Sequence, residues 1–122
     1  MVVTELPAPR ATHVPSAVAW IDEDSAIVAR SSGAGAVSTC EITRGGEPEP
    51  SYLAIVVRAI GDRDRVVILG PSDLRVALER AYAQTDSRRR RLVIVERGTH
   101  ADRQSVTDRL RTLVGEPAWT AS

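Results

Sequence analysis

Short apolar runs alternate with polar punctuation along the chain, and the period of each run indicates the element it forms. Ala17-Val-Ala-Trp-Ile21 is a run of strand length that ends at the acidic turn Asp22-Glu23-Asp24, and Ala26-Ile-Val-Ala29 follows directly. Two such runs joined by a short polar connection predict an antiparallel hairpin. Beyond a turn at Ser31-Ser-Gly-Ala-Gly35, residues Val37, Thr39, Glu41 and Thr43 alternate with Ser38, Cys40 and Ile42. A period of two suits a third strand, exposed on one face. Arg44-Gly-Gly-Glu-Pro-Glu-Pro50 has the Gly and Pro content of a loop.

The pattern then becomes helical. Ser51 is placed to cap a helix that carries Leu53, Val56, Val57 and Ile60 on one face, with Gly61 as its stop. Val66-Val-Ile-Leu69 is an unbroken apolar run, the signature of a strand buried on both faces. Gly70-Pro71-Ser72 turns the chain, with Ser72 as the expected N-cap of the next helix. Leu74, Ala77, Leu78, Ala81 and Tyr82 then recur at i, i+3, i+4, i+7 and i+8. Leu92-Val-Ile-Val95 reads as a second buried strand. Thr99 or Asp102 opens a last helix with Val106, Leu110, Leu113 and Val114 on one face, stopped by Gly115 and Pro117.

Three strands, helix, strand, helix, strand, helix predict an α/β fold: a three-layer α/β/α sandwich on one mixed sheet. Its N-terminal strands are antiparallel, and its C-terminal half is a parallel βαβα unit with a right-handed crossover. Residues 1–12 carry Pro7 and Pro9 without periodicity and read as a flexible arm, residues 13–115 as a single domain, and residues 116–122 as a tail. Trp119 in that tail is expected to pack back onto the domain.

Composition narrows the function classes. With 122 residues, 43% hydrophobic and 26% charged, the chain can bury a core without disulfide or metal staples. The single Cys40 rules out an intramolecular disulfide and a multi-cysteine zinc site, and a free thiol suits a reducing, cytoplasmic setting. The N-terminus lacks a signal-peptide core, and no apolar run approaches the ~20 residues that span a bilayer, so no membrane partner is expected. The net charge is zero, which excludes a globally basic nucleic-acid binder. All 16 basic side chains are arginine, consistent with a GC-rich coding bias.

Candidate chemistry is sparse. The densest charge run is Arg88-Arg89-Arg90-Arg91, with Arg75, Arg80 and Arg97 as additions in space. Adjacent guanidinium groups can follow a phosphate backbone, although Glu79 and Asp86 dilute the patch and few aromatics are present to stack on bases. Arg88 to Arg91 and Arg75 are therefore the candidate RNA- or partner-binding residues. Gly70 and Ser72, at a strand end and helix start, form an alternative anion site, against which stand the missing GxGxxG and GxxxxGK[ST] patterns and the acidic Asp73. His13 and His100 have no metal-ligand spacing around them. Asp22-Glu23-Asp24 reads as a turn rather than a cation site. No catalytic residue, metal ligand or cofactor is nominated. The strand near Val37 to Thr43 offers an open edge for pairing with a second copy.

Two stretches carry a family resemblance. His13-Val-Pro-Ser-Ala-Val-Ala-Trp-Ile-Asp22 with Ser25-Ala-Ile-Val-Ala29, and Val66-Val-Ile-Leu-Gly-Pro-Ser-Asp-Leu-Arg-Val-Ala-Leu-Glu-Arg80, resemble small bacterial proteins described as host-attachment or translational machinery proteins. Leu92-Val-Ile-Val-Glu96 with Thr99 and Asp102 matches that group's closing strand and helix, so the resemblance runs over about residues 13–114. That group is in turn similar to the C-terminal domain of the archaeal and eukaryotic release factor and Pelota family. The resemblance implies an L7Ae-like sandwich and a ribosome, ribosomal RNA or translation-factor partner. It also has limits. Ser31 to Arg44 contains no histidine where the group often has a His-rich basic stretch. Gly45-Gly46 is followed by Glu47 rather than glutamine, so the release factors' hydrolytic Gly-Gly-Gln, which belongs to another domain, is not implied.

Overall fold

The computed structural model describes residues 14–31, 36–85, 92–98 and 102–115. In chain order it contains β1 (Ser16–Ile21), β2 (Ser25–Ser31), β3 (Val37–Thr43), α1 (Glu49–Ile60), β4 (Arg65–Gly70), α2 (Leu74–Ala83), β5 (Leu92–Arg97) and α3 (Arg103–Gly115). The strands form one mixed sheet in the order β3-β2-β1-β4-β5. β1, β2 and β3 are antiparallel neighbours, while β4 runs parallel to both β1 and β5. The three-layer sandwich and its parallel C-terminal half stand as the pattern of runs predicted.

Alternation along the strands builds two cores. Ala17, Ala19, Ile21, Ala26, Val28, Val66 and Ile68 face α1 and α2, where they meet Tyr52, Leu53, Val56, Ile60, Leu74, Leu78 and Tyr82. Val18, Trp20, Ile27, Ala29 and Val67 face α3 and meet Val106, Leu110 and Leu113. β1 is fully buried from end to end because it sits at the centre with helices on both sides.

Three local expectations need correction and a fourth is narrowed to one of its alternatives. α1 begins at Glu49, with Pro48 at its N-cap and Ser51 already inside. Tyr52 N–H donates to the Pro48 carbonyl at 2.9 Å, so the first turn closes before Ser51 could cap it. Pro50 is tolerated there because first-turn N–H groups have no intrahelical partner to lose. The N-cap of α2 is Asp73 rather than Ser72, although the Ser72 hydroxyl still accepts the Leu74 N–H at 3.3 Å. β5 is an edge strand whose residues are half-buried or exposed, not a central one. An apolar run cannot distinguish the two cases when helices partly cover both faces of an edge. Of the two openings considered for α3, Asp102 is the one seen: its carboxylate accepts the Ser105 N–H at 2.8 Å and its own N–H donates to Ser105 Oγ at 3.0 Å. Thr99, His13, His100, the arm, the tail with Trp119 and Pro117 lie outside the described residues.

Candidate binding surfaces

The three described helices start near the carboxyl ends of the parallel strands, and their C-termini lie at the opposite end of the sheet. At the upper end, β1 leads into the Asp22 turn. The Asp22 carboxylate accepts the N–H groups of Asp24 and Ser25, both at 2.8 Å, which explains the acidic hairpin structurally. Tyr52 reaches across from α1 and donates its hydroxyl to the Asp22 carbonyl at 2.9 Å. Arg44 lies over the Tyr52 ring, 5.2 Å from its centroid. Burial first, and then the nearby Asp22 carboxylate, push the Tyr52 phenol up to about 12, with Arg44 opposing and Asp24 assisting. A phenol held in this way is a structural donor, not an acid for catalysis near neutral pH.

The Gly70-Pro71-Ser72 turn sits beside this corner. A Cβ at position 70 would collide with the backbone carbonyl oxygen of Ile21, so the residue is glycine for a close approach of β4 to the end of β1. Ser72 and Asp73 line a hollow of about 630 Å³ together with Glu23, Glu49 and Arg80. An anion entering it would face three carboxylates against one guanidinium. The first-turn donors also point at the chain's own oxygens: Leu74 N–H at Ser72 Oγ, Arg75 N–H at the Ser72 carbonyl, and Val76 and Ala77 N–H at the Asp73 carbonyl. The carboxylates outnumber the cation there, and the N–H groups of residues 74–77 are already engaged, both of which weigh against a phosphate.

Arg75 stands at the start of α2, and its Nη1 donates to the Ser72 carbonyl at 2.6 Å. It therefore lies at the upper end of the sheet, as does Arg97 at the end of β5. Arg88 to Arg91 lie outside the described residues. The residues flanking them, Thr85 after α2 and Leu92 at the start of β5, are at the lower end. The structure therefore places Arg75 and Arg97 a helix length away from the points where that connection leaves and rejoins the sheet.

A larger concavity was not anticipated from the sequence. Between the flank of α1 and the lower half of α2 runs an open groove of about 820 Å³, walled by Pro50, Ala54 and Val57 on one side and Ala81 and Tyr82 on the other. Arg58, Asp62, Gln84 and Thr85 edge it. The signal was the small side chains Ala54 and Ala81, which stand just off the buried stripes and leave space between two parallel helices. Tyr82 closes its floor: the hydroxyl donates to the Gly61 carbonyl at 2.8 Å and accepts the Arg63 N–H at 3.2 Å. Among the described residues, no group of His, Cys, Asp and Glu gathers as metal ligands, and no helix is long and apolar enough to cross a membrane.

The fold has clear structural relatives. The chain is similar to Pelota from Archaeoglobus fulgidus, with a TM-score of 0.62 over 88% of this chain at 12% identity. It is likewise similar to the Pelota protein of Thermoplasma acidophilum, with a TM-score of 0.58 over 84% of this chain at 22% identity. In both cases the chain spans about a third of the relative's length, matching 33% of each. At these identities the likeness establishes the fold. No protein-family model matches the sequence, and no curated protein sequence is similar to it.

Proposed function

We propose that this chain is a non-catalytic binding domain that works in translation, in the cytoplasm, by docking on the ribosome or on a translation factor. The observation that carries this reading is the Pelota-like fold over 88% of the chain. The resemblance read along residues 13–114 points the same way, while no family model and no curated sequence matches the chain. Ribosomal RNA is a polyanion, and a neutral protein needs a local cationic patch to engage it. Arg88 to Arg91 is the densest such run in the sequence, and Arg75 is an added contact at the other end of α2. Because the chain spans a third of the Pelota structures it matches, the activity of a whole release factor is not carried over. Gly45-Gly46-Glu47 is no substitute for the hydrolytic tripeptide.

Ribosome co-sedimentation at low and moderate salt tests this reading, with a variant in which Arg88 to Arg91 are all alanine run alongside. The expected result is association at low salt that weakens as salt rises and is reduced in the variant. An absence of association at low salt counts decisively against it.

A further inference from the structure

β3 is an outer strand of the sheet, and no described strand pairs with its outer side. The direction of its unpaired backbone groups follows from the hydrogen-bond phase. Arg44 N–H donates to the Asp24 carbonyl at 2.9 Å, one step beyond the Ser25↔Thr43 pair of the β2–β3 ladder. Hydrogen-bonded and non-hydrogen-bonded pairs alternate in an antiparallel ladder. Ser38, Cys40 and Ile42 therefore direct their N–H and C=O groups toward β2, while Val37, Thr39, Glu41 and Thr43 direct theirs outward.

Among the described residues this edge lacks the devices that usually block pairing. The ladder to β2 is one-to-one over all seven residues, without a bulge, and the strand contains no proline, glycine or basic residue. Its one charge, Glu41, is neutralised by Arg103 of α3 at 3.0 Å. Exposed apolar side chains flank it on both faces. Val37, 38% exposed, lies on the α3 side, and Ile55, 40% exposed, projects from α1 on the flank opposite Ala54 and Val57, which face α2. Cys40 and Ile42, half-buried against the core, lie beneath that flank.

We propose that β3 pairs antiparallel with β3 of a second copy about a two-fold axis at Cys40, joining two sheets into one of ten strands. This inference does not depend on the translation reading. The register is selected by the strand itself. With the axis at Cys40, Val37 meets the second copy's Thr43 and Thr39 meets its Glu41, so all four outward-facing residues of each chain find partners. Moving the axis to Glu41 would set two carboxylates directly opposite one another, which is destabilising. Moving it to Thr39 would leave Thr43 unpaired. At the axis the two Cys40 residues form a non-hydrogen-bonded pair, with Cα atoms about 4.5 Å apart.

Light scattering over a concentration series tests this on the intact chain. The expected mass is twice the 13.2 kDa of one chain at high concentration. Thr39→Pro removes an outward N–H without touching the β2 ladder and should give the single-chain mass with an unchanged circular dichroism spectrum. Ile55→Glu, at an exposed helical position, should weaken the dimer at least tenfold. Dibromobimane, which alkylates two close thiols and fluoresces once it bridges them, should link wild-type chains through Cys40, and this holds whether or not Thr39→Pro folds. A single-chain mass at every concentration overturns the proposal. So does a dimer that Ile55→Glu leaves intact and dibromobimane cannot bridge, because its interface lies elsewhere.

Discussion

The two faces of the sheet solve the same burial problem with opposite side-chain choices. Under α1 and α2 the strands present Ala17, Ala19 and Ala26 among their larger residues, so two helices can lie close to the sheet. Under α3 they present Val18, Trp20, Ile27 and Val67, whose bulk fills the space that one helix leaves. The two-helix face also fastens its helices by hydroxyls, with Tyr52 bonded to Asp22 and Tyr82 bonded to Gly61. Both faces also place a cation at a helix C-terminus: Arg30 donates to the Ala59 carbonyl at 2.9 Å near the end of α1, and Arg65, only 9% exposed at the start of β4, donates to the Leu113 carbonyl at 3.2 Å near the end of α3. A positive charge there complements the helix dipole. The two-helix face adds two tyrosine hydroxyls to its cation, while α3 adds the bridges of Arg103 to Glu41 at 3.0 Å and of Arg109 to Glu96 at 3.3 Å.

That contrast can be broken by deleting one leucine from each side. Leu78 in α2 and Leu110 in α3 are both fully buried. Leu78→Ala should cost about 3–5 kcal/mol, because two helices and the sheet hold the cavity open, and Leu110→Ala about 2–3 kcal/mol, because a lone helix can settle into the gap. Chemical denaturation of both variants measures the difference, and equal losses would remove the distinction. Gly70→Ala comes next in size. The added methyl must displace the Ile21 backbone at the edge of the two-helix face, an overpacking cost of about 1–3 kcal/mol in the same assay.

Tyr52→Phe sharpens the comparison through pH. Loss of the hydroxyl bond to Asp22 should cost about 1 kcal/mol near neutrality. The folded phenol titrates near 12, above the ordinary value of about 10. The raised value favours the protonated form in the native state. Its contribution is therefore complete below about pH 10 and is lost as pH rises from there toward 12. The wild type should lose stability in that window, and Tyr52→Phe should lose less, measured by thermal midpoints across an alkaline series. The smallest effect belongs to Arg103→Ala. Its bridge to Glu41 is more than half exposed at both ends, so the protomer should change by under about 0.5 kcal/mol in thermal unfolding.

The legible parts of the fold are those where periodicity alone decides. The continuous run at Val66 to Leu69 became the strand beside the central β1, and the five-residue stripe from Leu74 to Tyr82 became the α2 face that packs against it. The illegible parts depend on neighbours that the chain order does not reveal. Leu92 to Val95 has the same composition as β4 yet lies at an edge, because helix cover gives an edge strand and an inner strand similar apolar patterns. Ser51 looked like a cap, but the Pro48 carbonyl had already closed the turn. The groove between α1 and α2 arises from two alanines that carry no motif and become informative only once the helices lie side by side. The Gly70-Ser72 turn kept its predicted position, but the hollow beside it gathered carboxylates from three separate segments, which no local pattern encodes.

The Pelota-like architecture makes translation the natural place to look for a partner, and a binding titration addresses this most directly. Fluorescently labelled chain would be titrated with purified ribosomes at low salt and again at moderate salt. Saturable binding that weakens steeply with salt, and falls further when Arg88 to Arg91 are replaced by alanine, is the expected result. A flat signal at low salt, from a chain whose circular dichroism shows it folded, would contradict the translation reading.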